Sequence, residues 1–167
     1  PTVLARQLNA HRSEMNAAIL EEGGTVMQYV GDAVMAVFGA PFTQDDHADH
    51  GIRAAAAMHR RQQAVDAAWA ADGLEPFGLG IGLSTGEVAA AMLGSAERLE
   101  YTVVGDIVNL SQRLQDLARP AGTTVISEAT ATALTQPPPL VALPPQTVKG
   151  RETPVQAFRI DQEATTP

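Results

Sequence analysis

Apolar positions early in the chain recur at helical spacing. Val3, Leu4, Leu8, Met15, Ile19 and Leu20 predict a helix from about Thr2 to Glu22. Gly23-Gly24 ends it, as glycine does past the last helical turn. The pattern then changes to two short apolar runs, Thr25–Val30 and Ala33–Phe38, folded about Gly31-Asp32. That is hairpin patterning with a turn dipeptide between the strands. Gly39-Ala40-Pro41 closes the second strand. Thr43 is the predicted cap of a long alanine-rich helix that runs to Asp72 and is closed by Gly73. The acids after Thr43 fall in its first turn, where the helix dipole favours them.

The second half alternates more quickly. Phe77–Ser84 (FGLGIGLS) reads as a strand whose glycines signal close backbone approach to a neighbour. It is not a dinucleotide fingerprint, because Gly78, Gly80 and Gly82 lack that spacing and no helix follows. Val88–Leu93 and Leu99–Val104 are predicted strands joined by a polar loop, Gly94 to Arg98. Ile107, Val108, Leu110, Leu114, Leu117 and Ala118 mark one face of a helix that Arg119-Pro120-Ala121-Gly122 ends. Thr123–Ile126 is a short strand, and Ser127 caps a short helix to about Leu134. Gln136 to Pro145 holds five prolines in ten residues and reads as a stiff connector. Gln146–Val148 and Val155–Ile160 read as a terminal hairpin around Lys149-Gly150-Arg151-Glu152. This order predicts an α+β sandwich with helices outside one sheet, in a single domain over residues 1–167.

Composition narrows the function. The 167 residues carry 11 basic and 19 acidic side chains, a net charge of -8. That balance argues against non-specific binding to nucleic acid or an anionic membrane, and leaves room for a small anion held by local donors. With no cysteine there is no disulfide, thiolate metal site or cysteine nucleophile. No apolar run approaches the ~18 residues of a membrane span. The chain opens in mid-pattern at Pro1-Thr2-Val3-Leu4, which suggests a segment of something longer.

Two stretches carry candidate chemistry. Asp32 is the only acid between Thr25 and Pro41. A carboxylate among apolar strands is costly to bury unless a cation or donors meet it; the competing reading is a simple turn-former. In YTVVGDIVNLSQRL, Asn109 and Arg113 are four apart on a predicted helix, so their side chains leave one face. His47 and His50, with carboxylates nearby, could hold a metal, but a solvated helix start is the preferred reading.

Four motifs in order, QYVGDAVMAVFGAP, FGLGIGLSTGEV, YTVVGDIVNLSQRL and VKGRETPVQAFRI, closely resemble the catalytic domain of class III adenylate/guanylate cyclases, most of all the bacterial branch. The resemblance covers nearly the whole chain. It implies a palm-type, ferredoxin-like sandwich: a mixed, mostly antiparallel sheet flanked by helices. It implies a homodimer with active sites at the interface, turning ATP (alternatively GTP) into the 3′,5′-cyclic monophosphate and pyrophosphate with two Mg²⁺ or Mn²⁺ ions. It further implies a cytoplasmic catalytic domain under an upstream regulatory domain, with no nucleic-acid partner and no direct membrane contact.

Carried over residue by residue, Asp32 matches a metal-binding aspartate. Asn109 matches the asparagine that orients the ribose, and Arg113 the arginine that meets charge on the α-phosphoryl group. Lys149 and Arg151 lie where the family places a basic residue on the terminal phosphates, and either could carry that role. The base-reading positions fall on Gln28 and Thr102. This pair matches neither the usual adenine nor the usual guanine combination; ATP is favoured because Thr102 can accept from an exocyclic amine and no acid typical of guanine readers is present. The family's other metal aspartate sits on a strand before the first helix, and nothing in the sequence corresponds to it, so the domain is expected to lack its first strand. Ser84 and Ala91 replace a common histidine and glycine. The competing functional reading is a degenerate, cyclase-like module that binds nucleotide or a partner without turnover. A diguanylate cyclase is disfavoured, because its glycine-glycine-acid-acid-phenylalanine signature is missing.

Overall fold

The computed structural model describes residues 2–161, and of residues 92, 93 and 98–101 the backbone alone. It divides into two compact units, the first ending at Leu79 and the second beginning at Gly80.

The first unit is two helices and a hairpin. Helix α1 is Thr2–Glu21, strands β1 and β2 are Thr25–Val30 and Ala33–Val37, and helix α2 is His47–Ala71. The buried stripe of α1 is Gln7, His11, Met15, Ala18 and Ile19, whereas Val3, Leu4 and Leu20 are exposed. Met15 and Ile19 are buried as expected, while in place of Val3, Leu4 and Leu20 the stripe takes two polar residues, Gln7 and His11. Both are satisfied: Gln7 Nε2 donates to the Glu75 carbonyl at 2.9 Å, and His11 Nδ1 lies 2.7 Å from Gln62 Oε1. A buried polar group with a partner is tolerated where a lone one is not.

Helix α2 begins later than the sequence suggests. Its N-cap is Asp46, which makes no side-chain capping bond, and Thr43 lies outside the helix. The intervening chain is tied down by Gln44, which accepts from the Gly39 amide and donates to the Glu22 carbonyl. The predicted strand at Phe77 is shorter for a similar reason. Phe77 N–H donates to the Asp66 side chain, and its ring packs edge-on against Trp69 and His11, so the extended segment starts only at Gly80.

The second unit holds strand β3 (Gly80–Leu83), hairpin β4–β5 (Ala89–Ser95 and Arg98–Val104), helix α3 (Asp106–Leu117), strand β6 (Thr123–Ser127), helix α4 (Glu128–Ala133), and strands β7 (Leu140–Ala142) and β8 (Ala157–Ile160). The proline-rich connector is not wholly irregular. Leu140–Ala142 lies between its prolines, keeps its N–H groups and pairs antiparallel with β8, as an edge strand can. The predicted terminal hairpin reduces to one bridge, Gln146 to Val155, because β8 pairs instead with β6 and β7.

The strands form three hydrogen-bonded sheets among the described residues, rather than one: β1-β2, β3-β6-β8-β7, and β4-β5. Only β3 and β6 run parallel. The architecture is a mixed α+β fold with mostly antiparallel pairing, as expected. The core of this unit is Leu110, Leu114, Ala118, Val125, Val148 and Ala157. The β3 glycines let α3 approach closely. A Cβ on Gly82 would lie 2.4 Å from both Gln115 N and Ser111 O, and one on Gly80 would lie 2.5 Å from the Ala118 carbonyl. The strand thus meets the backbone of the helix that carries the candidate residues.

Candidate active site

Asp32 sits at the exposed tip of the β1–β2 hairpin. Val30 pairs with Ala33, so the turn is the two residues Gly31-Asp32, with Gly31 at φ +60°. Glycine at the first central position is what a primed hairpin turn requires. The Asp32 carboxylate has no hydrogen-bond or ion-pair partner among the described residues. It is therefore free to ligate a hard cation such as Mg²⁺, which takes one or two protein carboxylates plus substrate phosphates. No group of three or more metal-ligating side chains occurs among the described residues. Gln28 lies on β1, exposed, opposite Met35. The register slips between Val26 and Gln28, a bulge of the kind that re-aims side chains near functional sites.

The remaining candidates lie in the second unit. Helix α3 buries Ile107, Leu110 and Leu114, which leaves Asn109 and Arg113 exposed on the other face. Val148 is buried in the α3 core cluster and pins the following residues beside the helix. Residues 148–151 then make a β-turn: Arg151 N–H donates to the Val148 carbonyl at 3.0 Å, and Gly150 stands at φ +90°. That is the conformation a type II turn demands of its third residue. As a result Lys149, Arg113 and Asn109 line one cleft of about 190 Å³, together with Gln112 and the carboxylate of Asp116. Neither Lys149 nor Arg113 has an ion-pair partner among the described residues.

Arg151 is placed differently. Its Nε donates to Asp106 Oδ2 at 2.5 Å, at the first turn of α3. It borders a second, larger open cleft of about 950 Å³ with Thr85, Glu128 and Gln156. The hydrogen bond from Arg151 holds the Asp106 carboxyl below the usual carboxylate range, with backbone donors at the helix start adding to it. Thr102 is half-buried on β5, opposite Ala91. The structure thus brings Asn109, Arg113 and Lys149 together, ties Arg151 to Asp106, and keeps Asp32 and Gln28 on the hairpin of the other unit.

His50 does not face an open site. Its Nδ1 lies 2.9 Å from Glu22 Oε2 and its Nε2 lies 3.2 Å from Asp46 Oδ1, and Arg53 joins the same Glu22 oxygen at 3.1 Å. Two residues that sequence reasoning passed over bear on the site. Asp106 anchors the Lys149 turn through Arg151, and Arg12 of α1 donates to the Gly31 carbonyl. An acid opening a helix hints at the first; nothing in the local sequence marks the second.

Comparisons with known proteins identify the family and the fold. The family model described as "Adenylate and Guanylate cyclase catalytic domain" matches residues 1–161. The chain is 32% identical over 133 residues to Adenylate cyclase 1 of Rhizobium meliloti (strain 1021), covering 80% of the chain and 20% of that protein. It is 33% identical over 133 residues to the adenylate cyclase of Anabaena cylindrica, covering 75% of the chain and 25% of that protein. The chain therefore spans only a fifth to a quarter of these relatives. Among solved structures, the adenylyl cyclase CyaB from P. aeruginosa superposes with a TM-score of 0.90 at 30% identity, covering 97% of this chain and 84% of that one. The guanylyl cyclase Cya2 gives 0.89 at 31%, covering 96% and 81%.

Proposed function

The chain belongs to the adenylate and guanylate cyclase catalytic domain family, and from that premise we propose that it converts ATP to 3′,5′-cyclic AMP and pyrophosphate, its two units acting as one catalytic domain. The observation that carries this reading is the cleft where Asn109, Arg113 and Lys149 converge. Two cations with no ion-pair partner among the described residues, set against the single carboxylate of Asp116 and beside the Asn109 and Gln112 amides, suit a nucleoside triphosphate, in a chain whose overall charge would otherwise repel it.

In the reaction the ribose 3′-oxygen bonds to the α-phosphorus, the α–β phosphoanhydride bond breaks, pyrophosphate departs, and the hydroxyl proton is released. Asn109 orients the ribose by hydrogen bonding. Arg113 donates to the oxygens on which charge grows; a fixed donor of this kind is worth ~3–4 kcal/mol of barrier. Lys149, whose ammonium has no ion-pair partner among the described residues, holds the terminal phosphates, and Arg151 steadies the turn that presents it. Asp32 contributes a carboxylate ligand for Mg²⁺ or Mn²⁺. Bound there, the metal supplies neutralising charge to the triphosphate and acidifies the 3′-hydroxyl. In our reading two copies pair, so that Asp32 of one copy serves with Asn109 and Arg113 of its twin.

Base choice rests on Gln28 and Thr102. Adenylyl and guanylyl cyclases superpose on the chain equally well, so these side chains, not the fold, support ATP. The Thr102 hydroxyl accepts from the exocyclic amine, and the Gln28 amide donates to a ring nitrogen. Gln28 also motivates the alternative of a non-catalytic nucleotide-binding module. The test is cyclic-nucleotide formation by the natural full-length protein with Mn²⁺ and either ATP or GTP. Cyclic AMP in excess of cyclic GMP supports the proposal. Cyclic GMP in excess transfers it to GTP. A folded dimer yielding neither product leaves the binding-module reading.

A further inference from the structure

The turn that carries Asp32 has little of its own to hold it. Gly31, Asp32 and Ala33 are all exposed, and the space beside Gly31 is open to at least 4 Å. From outside the hairpin, one described side chain hydrogen-bonds to the tip's backbone. Arg12 Nη2 donates to the Gly31 carbonyl at 2.6 Å. That oxygen belongs to the peptide unit whose nitrogen is Asp32's own, so the bond fixes the plane from which the Asp32 side chain springs.

Arg12 is itself aimed. Its guanidinium lies over the Tyr29 ring, 4.6 Å from the centroid. The Tyr29 hydroxyl donates to Asn16 Oδ1 at 2.5 Å. Arg12 and Asn16 are one turn apart on α1, so both reach the hairpin from the same helix face. Four residues therefore close a loop of contacts from α1 to the tip: Arg12, Gly31, Tyr29 and Asn16. Arg12 Nε is buried without an acceptor among the described residues, an unfavourable state for a donor. The guanidinium is thus held by what its face and its Nη2 engage, not by full satisfaction of its own donors. Tyr29 and Gln28 are consecutive on a strand, so while Tyr29 turns to α1, Gln28 leaves the opposite face.

We propose that Arg12 is a positioning residue for Asp32. It rests on the reading of Asp32 as a metal ligand, and extends it: the turn that presents the ligand is aimed by α1 through a planar cation stacked on Tyr29, so a shift of α1 changes metal affinity.

The experiment uses the full chain with Mn²⁺ as probe. Free Mn²⁺ is followed by electron paramagnetic resonance, and backbone order at the tip by ¹⁵N relaxation, in wild type, Arg12→Met, Arg12→Lys and Asp32→Ala. Arg12→Met is expected to weaken Mn²⁺ binding about tenfold, as loss of a ligand's supporting partner does. The order parameter at Asp32 is expected to fall from about 0.85 toward 0.6. Arg12→Lys should recover part of both, since an ammonium can reach the carbonyl but cannot stack as a planar fork. Should Arg12→Met lose its fold by circular dichroism, Tyr29→Leu removes the ring under Arg12 and the hydroxyl's bond to Asn16 while keeping Arg12 itself, and is read the same way. Unchanged Mn²⁺ affinity and unchanged tip order in the Arg12 variant, while Asp32→Ala abolishes binding, overturns the role of Arg12 and leaves the metal reading standing. Wild-type Mn²⁺ affinity in Asp32→Ala overturns the metal reading itself, and with it the proposal.

Discussion

The hairpin tip and the outer face of α3 solve the same problem in opposite ways. Each must show a charged group to solvent at a fixed position. The tip shows one acid, Asp32, on a two-residue turn held from outside, among the described residues, by the side chain of Arg12. The α3 face and the turn beside it show Arg113, Lys149 and Asn109, with Asp116 among them, on rigid support: three buried side chains under the helix, a buried valine under the turn, and an ion pair tying that turn to the helix start. In the proposed reaction a carboxylate that ligates a metal needs only its turn aimed, as Arg12 does, and completes its geometry when the metal and the phosphates arrive. Donors that must meet charge as it develops have to be in place beforehand. Support is concentrated where preorganisation is needed.

Removing either end of this contrast should give the largest effects. Arg113→Ala is expected to lower kcat by about 10²–10³-fold with little change in Tm, because the side chain is exposed and only the developing charge loses its partner. Asp32→Ala should cost at least as much, and added Mn²⁺ should not restore activity. Equal amounts of the two variants, mixed as a confirmed heterodimer, should recover measurable turnover, since one interface site would then be intact. No recovery would show that the acid and the arginine do not serve a shared site.

Gly82→Ala tests the rigid side of the comparison directly. The new methyl would stand 2.4 Å from two backbone atoms of α3, which cannot yield as a flexible side chain would. Overpacking of this kind costs about 1–3 kcal/mol. Thermal unfolding should show the loss, and kcat should fall further than Tm alone explains because α3 carries Asn109 and Arg113.

Much of this was legible in the sequence. The α3 face was plain because its apolar positions repeat cleanly, and the β3 glycines announced a close approach that the structure bears out at Gly80 and Gly82. The hairpin about Gly31-Asp32 was legible from turn chemistry. The buried face of α1 was legible at Met15 and Ile19 but not at Gln7 and His11, which find partners 68 and 51 residues away, a pairing no local pattern encodes. Strand β7 was hidden by its flanking prolines, and the terminal hairpin was overstated because β8 finds its partners in β6 and β7 rather than next door. The sequence left Lys149 and Arg151 interchangeable; the Asp106 ion pair sets them apart.

That last distinction predicts a smaller, graded pair of effects. Lys149→Ala is expected to raise the KM for nucleotide about tenfold with kcat nearly unchanged, the mark of binding lost equally in ground and transition states. Gln28→Lys should shift the ratio of cyclic AMP to cyclic GMP further toward cyclic AMP, by about tenfold, if Gln28 faces the base.

Arg151 should matter least, and through pH. Its hydrogen bond holds the Asp106 carboxyl below the usual carboxylate range. A carboxylate whose folded value is depressed contributes stability that is present above the unfolded value and lost as pH falls through the folded one. The window therefore lies on the acid side of the ordinary aspartate range, and at neutral pH the pair is intact. Both partners are partly solvated, so the contribution is small. Arg151→Met should change KM at pH 7 by less than about threefold, since Val148 still anchors the turn by burial. In an NMR titration the same substitution should move the Asp106 midpoint upward toward the ordinary value. A tenfold rise in KM for Arg151→Met, with Lys149→Ala silent, would exchange the two roles and make Arg151, not Lys149, the phosphate contact.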